Sequence, residues 1–202
     1  MSQYAKRTSA LRALVFGGVA ALGAAFLSGS ALAQVMGGEV VVVQGSNPPS
    51  LDAMATSSGA SRNINMNVYE TLYGFDENIV PMPILAEGVD ISADGLKYTF
   101  TLRKGVKFHN GDEMKASDVK ASMERYRKVG ATGNLLDPVD SFEIVDDYTV
   151  VFNMKARTPT FLEAFSSPRA PAVIIPEEDA EAEAGKTSLV GTGPYKITEY
   201  VP

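Results

Sequence analysis

Apolar and polar residues alternate most regularly between residues 85 and 112. Residues 97–102 read Lys-Tyr-Thr-Phe-Thr-Leu, in which every second side chain is apolar. An alternation of period two predicts a β-strand with one buried face. Asp94-Gly95 precedes this segment and Asn110-Gly111 follows it, and both dipeptides are typical of tight turns. The pattern therefore predicts a half-buried strand with a turn on either side.

Two further segments have strand patterns. Phe142 and Ile144 alternate with polar residues before Asp146-Asp147, and residues 150, 152 and 154 are again apolar, which predicts a β-hairpin. Residues 39–44 read Glu-Val-Val-Val-Val-Gln, a continuous apolar run between Gly-Gly and a Ser/Pro-rich segment. A run of this kind predicts a strand buried on both faces, central in a sheet.

Helical spacing appears in four places. Apolar residues three or four apart predict helices over residues 62–70 and 116–128. Gly130 is expected to end the second helix, and Asp112 or Ser117 to cap its start. A short helix is expected to begin at Thr158 or Thr160 and run to residue 165. Another, acidic and solvated, is expected over residues 176–184.

The first 33 residues have the pattern of a secretory signal peptide. Lys6, Arg7 and Arg12 precede an apolar core at residues 13–27, and residues 31–33 read Ala-Leu-Ala. A bilayer span needs about 20 apolar residues, so this core is short for a transmembrane anchor, which is the alternative. We expect cleavage between Ala33 and Gln34.

Composition limits the function of the remainder, residues 34–202. It carries 15 Lys plus Arg against 24 Asp plus Glu, a net charge of −9, which disfavours nucleic acid as a partner. The chain has no Cys. Disulfides, thiolate metal sites and thiol nucleophiles are therefore excluded, and so is the lipidated Cys of a tethered lipoprotein. These features favour a freely diffusing periplasmic protein.

Four segments resemble one transport family. They are residues 85–112 (LAEGVDISADGLKYTFTLRKGVKFHNGD), 67–72 (NVYETL), 116–125 (ASDVKASMER) and 191–195 (GTGPY). Together they resemble the family 5 extracellular solute-binding proteins, the peptide- and nickel-binding receptors of ABC importers. The resemblance covers nearly all of the chain after the leader.

The resemblance implies a fold and a function. The fold is α/β, a type II periplasmic-binding-protein fold of which the chain holds the first lobe only, with a mixed sheet and flanking helices. Residues 34–202 would form the N-terminal part of lobe I, with a family-specific subdomain at about 53–172. The implied function is capture of a peptide or similar small solute and its delivery to ABC permease subunits at the inner membrane. We expect a monomer without cofactor or metal.

Five residues are candidates for ligand contact. Ser46, Asn47 and Ser50 follow the predicted buried strand, and open α/β sheets place ligands at the carboxyl ends of strands. The alternative is ordinary turn chemistry around Pro48-Pro49. Tyr69 and Glu70 end the first predicted helix. Their alternatives are core packing for Tyr69 and a surface charge for Glu70.

Other chemistry is nearly present. Ser117 and Lys120 have the Ser-x-x-Lys spacing of penicillin-binding enzymes, so a secreted serine hydrolase is one alternative function, although the companion motifs are incomplete. A ligand-sensing lobe of a signalling receptor is another. His109 is the only His and is expected to pack or hydrogen-bond beside a turn rather than bind metal. Residues 180–187 lack the first Gly of a phosphate-binding loop.

Overall fold

The computed structural model describes residues 38–201. Within these residues, three helices and six strands follow one another: α1 Gly59–Val68, β1 Tyr73–Phe75, β2 Pro81–Pro83, β3 Ala86–Ile91, β4 Lys97–Leu102, α2 Ala116–Val129, β5 Val139–Asp146, β6 Thr149–Met154 and α3 Phe161–Phe165. Single 3₁₀ turns lie at Gly133–Leu136 and Glu177–Asp179. The first three predicted helices therefore form, with bounds shifted by a few residues.

Strands β3 to β6 form one sheet in the order β3-β4-β6-β5. Every pairing in it is antiparallel, as is the separate pair of β1 with β2. The alternation at residues 97–102 is confirmed, because Tyr98, Phe100 and Leu102 are buried while the polar residues between them are not. The predicted hairpin is confirmed as β5 and β6, with Phe142 opposite Phe152.

The buried face of this sheet carries a cluster of aromatic rings, which we call the aromatic core. Phe152 lies at its centre, 4.8 Å from Phe100 and 4.7 Å from Phe142 between ring centroids. Most pairs are edge-to-face or tilted, the arrangements that favour the ring quadrupoles. The core is completed from α3, whose two aromatic residues are Phe161 and Phe165.

Turns and helix ends follow local chemistry. Gly95 and Gly111 have positive φ angles of 72° and 98°, and both predicted turns form. Helix α2 ends at Gly130, as expected. Its start was predicted wrongly: neither Asp112 nor Ser117 caps it. Lys115 is the first flanking residue, and its N–H donates to Asp118 Oδ2 at 2.7 Å, so the carboxylate satisfies the helix end from within the first turn.

The expectation of a buried strand at residues 39–44 was wrong for this structure. The segment is in no strand, and Val40–Val43 are 78–89% exposed. A strand buried on both faces needs hydrogen-bonded neighbours on both sides. Both sheets in the described part of the chain are built from other strands, and residues 195–200 form no strand either.

The acidic segment at residues 176–184 is also not the helix that was expected. Only a 3₁₀ turn at Glu177–Asp179 forms. Asp179 is buried and accepts hydrogen bonds from the amide and hydroxyl groups of Ser188. The segment is therefore not the solvent-exposed helix that was predicted, because one of its acidic side chains is buried against a neighbouring loop.

The predicted signal peptide lies outside the described residues. Between residues 38 and 201, no helix has the length and hydropathy needed to cross a membrane.

Candidate functional site

The candidate site is a pocket of about 330 Å³ beside α1. One wall is α1 with the residues that follow it, and the opposite wall is the loop at residues 166–173 after α3. Helical spacing explains the first wall: Arg62 and Met66 are four residues apart, as are Asn65 and Tyr69, so these side chains lie along neighbouring rows of the helix. The pocket is the size of a small-solute site.

Backbone hydrogen bonds join the two walls. The Ile174 amide donates to the Glu70 carbonyl at 2.9 Å, and Thr71 forms a β-bridge with Val173. The end of α1 is thereby fixed against the segment that leaves the second wall. The pocket is consequently set by backbone geometry and does not depend on a single side-chain contact.

Glu70 is held from a third direction by the loop at residues 191–195. The Thr192 hydroxyl donates to Glu70 Oε2 at 2.8 Å. The Gly193 amide donates to the Val68 carbonyl, so the loop lies directly against the end of α1. A Cβ at Gly193 would lie 2.7 Å from the Asn67 carbonyl oxygen, and at Gly191 it would overlap the Val68 carbonyl. Glycine is therefore required at both positions by this close approach.

His109 anchors the same loop. Its backbone amide donates to the Gly191 carbonyl at 2.9 Å, and its Nδ1 accepts from the Gly191 amide at 3.3 Å. Because Nδ1 accepts, the ring proton is on Nε2, which donates to the Gly193 carbonyl at 2.8 Å. The prediction that His109 hydrogen-bonds beside a turn is confirmed.

Two polar side chains in the pocket wall are buried without a partner. Asn65 and Tyr69 are 5% and 4% exposed, and neither Asn65 Oδ1 nor the Tyr69 hydroxyl has a hydrogen-bond partner within residues 38–201. Burial raises the pKa of Tyr69, so its hydroxyl remains a neutral donor at physiological pH. Buried polar atoms are nearly always satisfied in folded proteins, so these two are exceptions.

A buried ion pair supports the region behind the pocket. Arg125 Nη2 of α2 donates to Asp52 Oδ2 at 2.7 Å, and both side chains are at most 2% exposed. The Met54 and Gly185 amides also donate to this carboxylate. Burial acts to raise the pKa of Asp52, but these hydrogen bonds outweigh it and the pKa lies below its usual value. Three chain segments are thus joined at one carboxylate.

The structure separates the five predicted contact residues. Tyr69 and Glu70 line the pocket. Ser46 and Asn47 are exposed outside its lining, and Ser50 is half-buried with its hydroxyl accepting from the Asp52 amide at 3.1 Å. Contact between any of the five and a solute stays a prediction.

Arg62 and Arg169 were not predicted, yet both line the pocket. Arg62 carried a usable signal, because a cation near the start of a predicted helix opposes the helix dipole. Arg169 carried none, since its place depends on how the loop after α3 folds back.

The alternative chemistries gain no support. Lys120 pairs with Glu124 at 3.9 Å, and no hydrogen bond joins Lys120 to Ser117 in the part of the chain described. No group of three or more His, Cys, Asp or Glu residues within residues 38–201 could hold a metal ion.

An α/β unit with antiparallel sheets and a solute-sized pocket resembles part of a lobe of a type II periplasmic binding protein, and structures of that class match it. AgaA from A. tumefacien R10, in complex with agropinic acid, has a TM-score of 0.69 and 26% identity over 77% of this chain and 32% of that one. A dipeptide binding protein from Pseudoalteromonas sp. SM9913, in complex with Met-Leu, has a TM-score of 0.67 and 29% identity over 77% of this chain and 36% of that one. The expected α/β, type II fold class is confirmed, but the mixed sheet was predicted wrongly, because every strand pair within residues 38–201 is antiparallel.

The family model of the bacterial extracellular solute-binding proteins, family 5 Middle, matches residues 80–202. The chain belongs to this family, as residues 85–112 and 191–195 predicted. A glutathione-binding protein from Salmonella choleraesuis is 36% identical over 165 residues, which make up 79% of this chain and 32% of that relative. The chain spans about a third of the length of the curated relatives it matches.

Proposed function

We propose that the chain is the ligand-facing part of a periplasmic substrate-binding protein, which captures a peptide or similar small solute and delivers it to an ABC permease. The observation that supports this most directly is the pocket at α1. It combines apolar walls with the side chains of Asn65 and Tyr69 and with two guanidinium groups. Small-solute sites in proteins have this composition, with a few polar groups fixing orientation.

The proposed mechanism is capture by closure. The pocket is open to solvent on one side, and a second lobe would cover it, as in periplasmic binding proteins generally. A bound solute must then contact the closed form better than the open form, so that the permease reads occupancy. Backbone hydrogen bonds at Glu70 and Val173 join the two pocket walls, and this arrangement suits the role. Closure then requires a change only in the angle between the two lobes.

The relatives are consistent with this class of solute. Proteins similar to the chain are described as binding glutathione, the peptide Met-Leu and agropinic acid. We propose that this chain binds a solute of that size. We further propose that the protein is exported to the periplasm, acts as a monomer and catalyses no reaction.

Calorimetry on the complete mature protein tests the proposal. The titrants are reduced glutathione, Met-Leu and a set of alanine-based di- to pentapeptides. We expect saturable one-to-one binding of at least one titrant, and no consumption of any titrant in the same samples. Binding of none of them, or turnover that is lost in the Ser117→Ala variant, would contradict the proposal.

Export is tested separately. An intact-mass spectrum of periplasmic material should show a chain that begins at Gln34, because Ala31-Leu-Ala33 follows the short apolar core. A retained Met1, or an acylated terminus, would contradict cleavage after Ala33.

A further inference from the structure

We propose that Arg62 is a specificity-determining residue that makes the pocket select solutes with a carboxylate at the end facing α1. The inference rests on the proposed function, since it assigns a chemical preference to the same pocket. Its support comes from the electrostatics of Arg62 and from the groups that surround it.

Arg62 occupies an energetically unfavourable place for a cation. It is the fourth residue of α1, near the helix end where aligned peptide dipoles leave a partial positive charge. Its side chain is half-buried and lines the pocket. Partial burial and the helix dipole both disfavour the guanidinium charge there. A carboxylate within ion-pair distance would offset both costs.

No such carboxylate is present in the described part of the chain. Arg62 makes no ion pair within 4.0 Å in residues 38–201. Glu70 shares the pocket, but its Oε2 accepts from Thr192 and it pairs with neither arginine. An uncompensated guanidinium of this kind is most simply explained by a charge that arrives with the solute.

The neighbouring groups suit a carboxylate. A guanidinium presents its donors in a planar fork that matches two carboxylate oxygens. The loop after α3 supplies a second guanidinium to the pocket lining at Arg169, which forms no ion pair within residues 38–201. Glu70 is a single carboxylate in the same lining against two guanidinium groups, so the charged side chains of the pocket carry a net positive charge and disfavour a cationic solute group. Carboxylate recognition is therefore favoured over recognition of an amine.

Matched peptide pairs on the complete mature protein test this assignment. The probes are alanine tripeptides with one Glu at each position in turn, each paired with its Gln isostere, and Ala-Ala-Ala paired with its C-terminal amide. We expect one pair in which the charged member binds about tenfold more tightly, the size of effect typical of a desolvated charge pair. In Arg62→Gln that ratio should fall to about one.

The control variant is Lys97→Gln, an exposed position on β4 that removes the same charge at a distance from the pocket. It should leave the ratio unchanged. Arg62→Lys keeps the charge but loses the planar fork, and should give an intermediate ratio. If Arg62→Gln does not fold, the ratio of charged to neutral peptide affinity in Arg62→Lys is compared with the wild-type ratio, and that comparison decides whether Arg62 sets the carboxylate preference.

The outcomes are distinguishable. A wild-type ratio near one for every pair, or a ratio that Arg62→Gln leaves intact, would overturn the role of Arg62 while leaving the proposed function standing. A phosphoserine tripeptide binding far more tightly than its Glu counterpart would overturn the carboxylate assignment in favour of phosphate. Failure of the wild type to bind any probe would instead count against the proposed function.

Discussion

The aromatic core and the pocket wall are both built around buried side chains, but they satisfy those side chains differently. In the aromatic core, Phe152 packs against rings from both neighbouring strands and from α3, and these contacts involve no polar atoms. In the pocket wall, α1 and its end bury Asn65 and Tyr69, four residues apart. Each of these two side chains has an oxygen without a partner in the described chain. The buried side chains of the aromatic core are therefore fully packed, whereas those of the pocket wall include oxygens without a hydrogen-bond partner.

This difference shows where stability and function are separated. Burial of apolar area stabilises the sheet without reference to any ligand. Unpartnered buried polar groups cost free energy in the empty protein, and that cost is recovered when a ligand or water bonds to them. Substitutions in the aromatic core should consequently change the free energy of unfolding, and those near the pocket should change affinity relatively more.

The largest expected effect is in the aromatic core. Phe152→Ala should lower the free energy of unfolding by about 4 kcal/mol, because it removes a fully buried ring and leaves a cavity between sheet and α3. Urea unfolding of the complete protein measures it. Phe152→Leu, which refills most of the volume, should cost clearly less. Equal losses of unfolding free energy in the two variants would contradict the cavity argument. A changed solute affinity in the folded variants would count against the separation of the aromatic core from the pocket.

The buried ion pair should come next. Asp52→Ala leaves the Arg125 guanidinium buried and uncompensated and should cost about 3 kcal/mol. Glu181→Ala removes a carboxylate from the exposed pair with Lys128 and should cost less than about 1 kcal/mol. Similar losses in the two variants would show that burial of the pair is unimportant.

Asp52 also gives a pH dependence with a definite sign. Its pKa is lower in the folded protein than in the unfolded chain, where it is about 3.9. The contribution of Asp52 is thus fully present above about pH 4 and is lost as the pH falls through the lowered folded value. Acid unfolding curves should be less steep for Asp52→Asn than for wild type below about pH 4. A variant that kept the full acid sensitivity would contradict this assignment.

A smaller effect is expected at the loop at residues 191–195, which packs against the end of α1. Gly191→Ala would drive a methyl group into the Val68 carbonyl and should cost about 2 kcal/mol while weakening solute binding, because the loop holds Glu70 through Thr192. Gly88→Ala is the matched control, since a Cβ there meets nothing within 4 Å. Unfolding and calorimetry on both variants give the comparison. Unchanged binding in Gly191→Ala would separate the loop from the pocket.

The smallest expected effect is at His109. His109→Phe keeps a ring but removes the bonds to Gly191 and Gly193, and should cost about 1 kcal/mol. His109→Asn retains an acceptor near the position of Nδ1 and should recover part of that loss. Faster amide hydrogen exchange at residues 191–193 in His109→Phe than in His109→Asn is the check. Identical exchange in both variants would mean that the ring nitrogens do not hold the loop.

The amino-acid sequence by itself determined the local elements of the sheet. The alternation at residues 97–102 and 142–154 requires one buried face whatever covers it, and Gly95 and Gly111 mark turns because they adopt positive φ angles readily. It also determined the family, since residues 85–112 and 191–195 combine turns and strands in a recognisable order. These properties depend on neighbours along the chain.

Only the tertiary structure decided which residues form the pocket. Tyr69 could be predicted as a candidate from the end of a helix, but the partner wall, with Arg169, comes from about a hundred residues later. The tertiary structure likewise decided that His109 holds the loop at residues 191–193, that Asp52 pairs with Arg125, and that Val40–Val43 are exposed. Each of these outcomes depends on which distant segment packs against a residue. Periodicity describes the face that a segment buries, but not the partner that buries it.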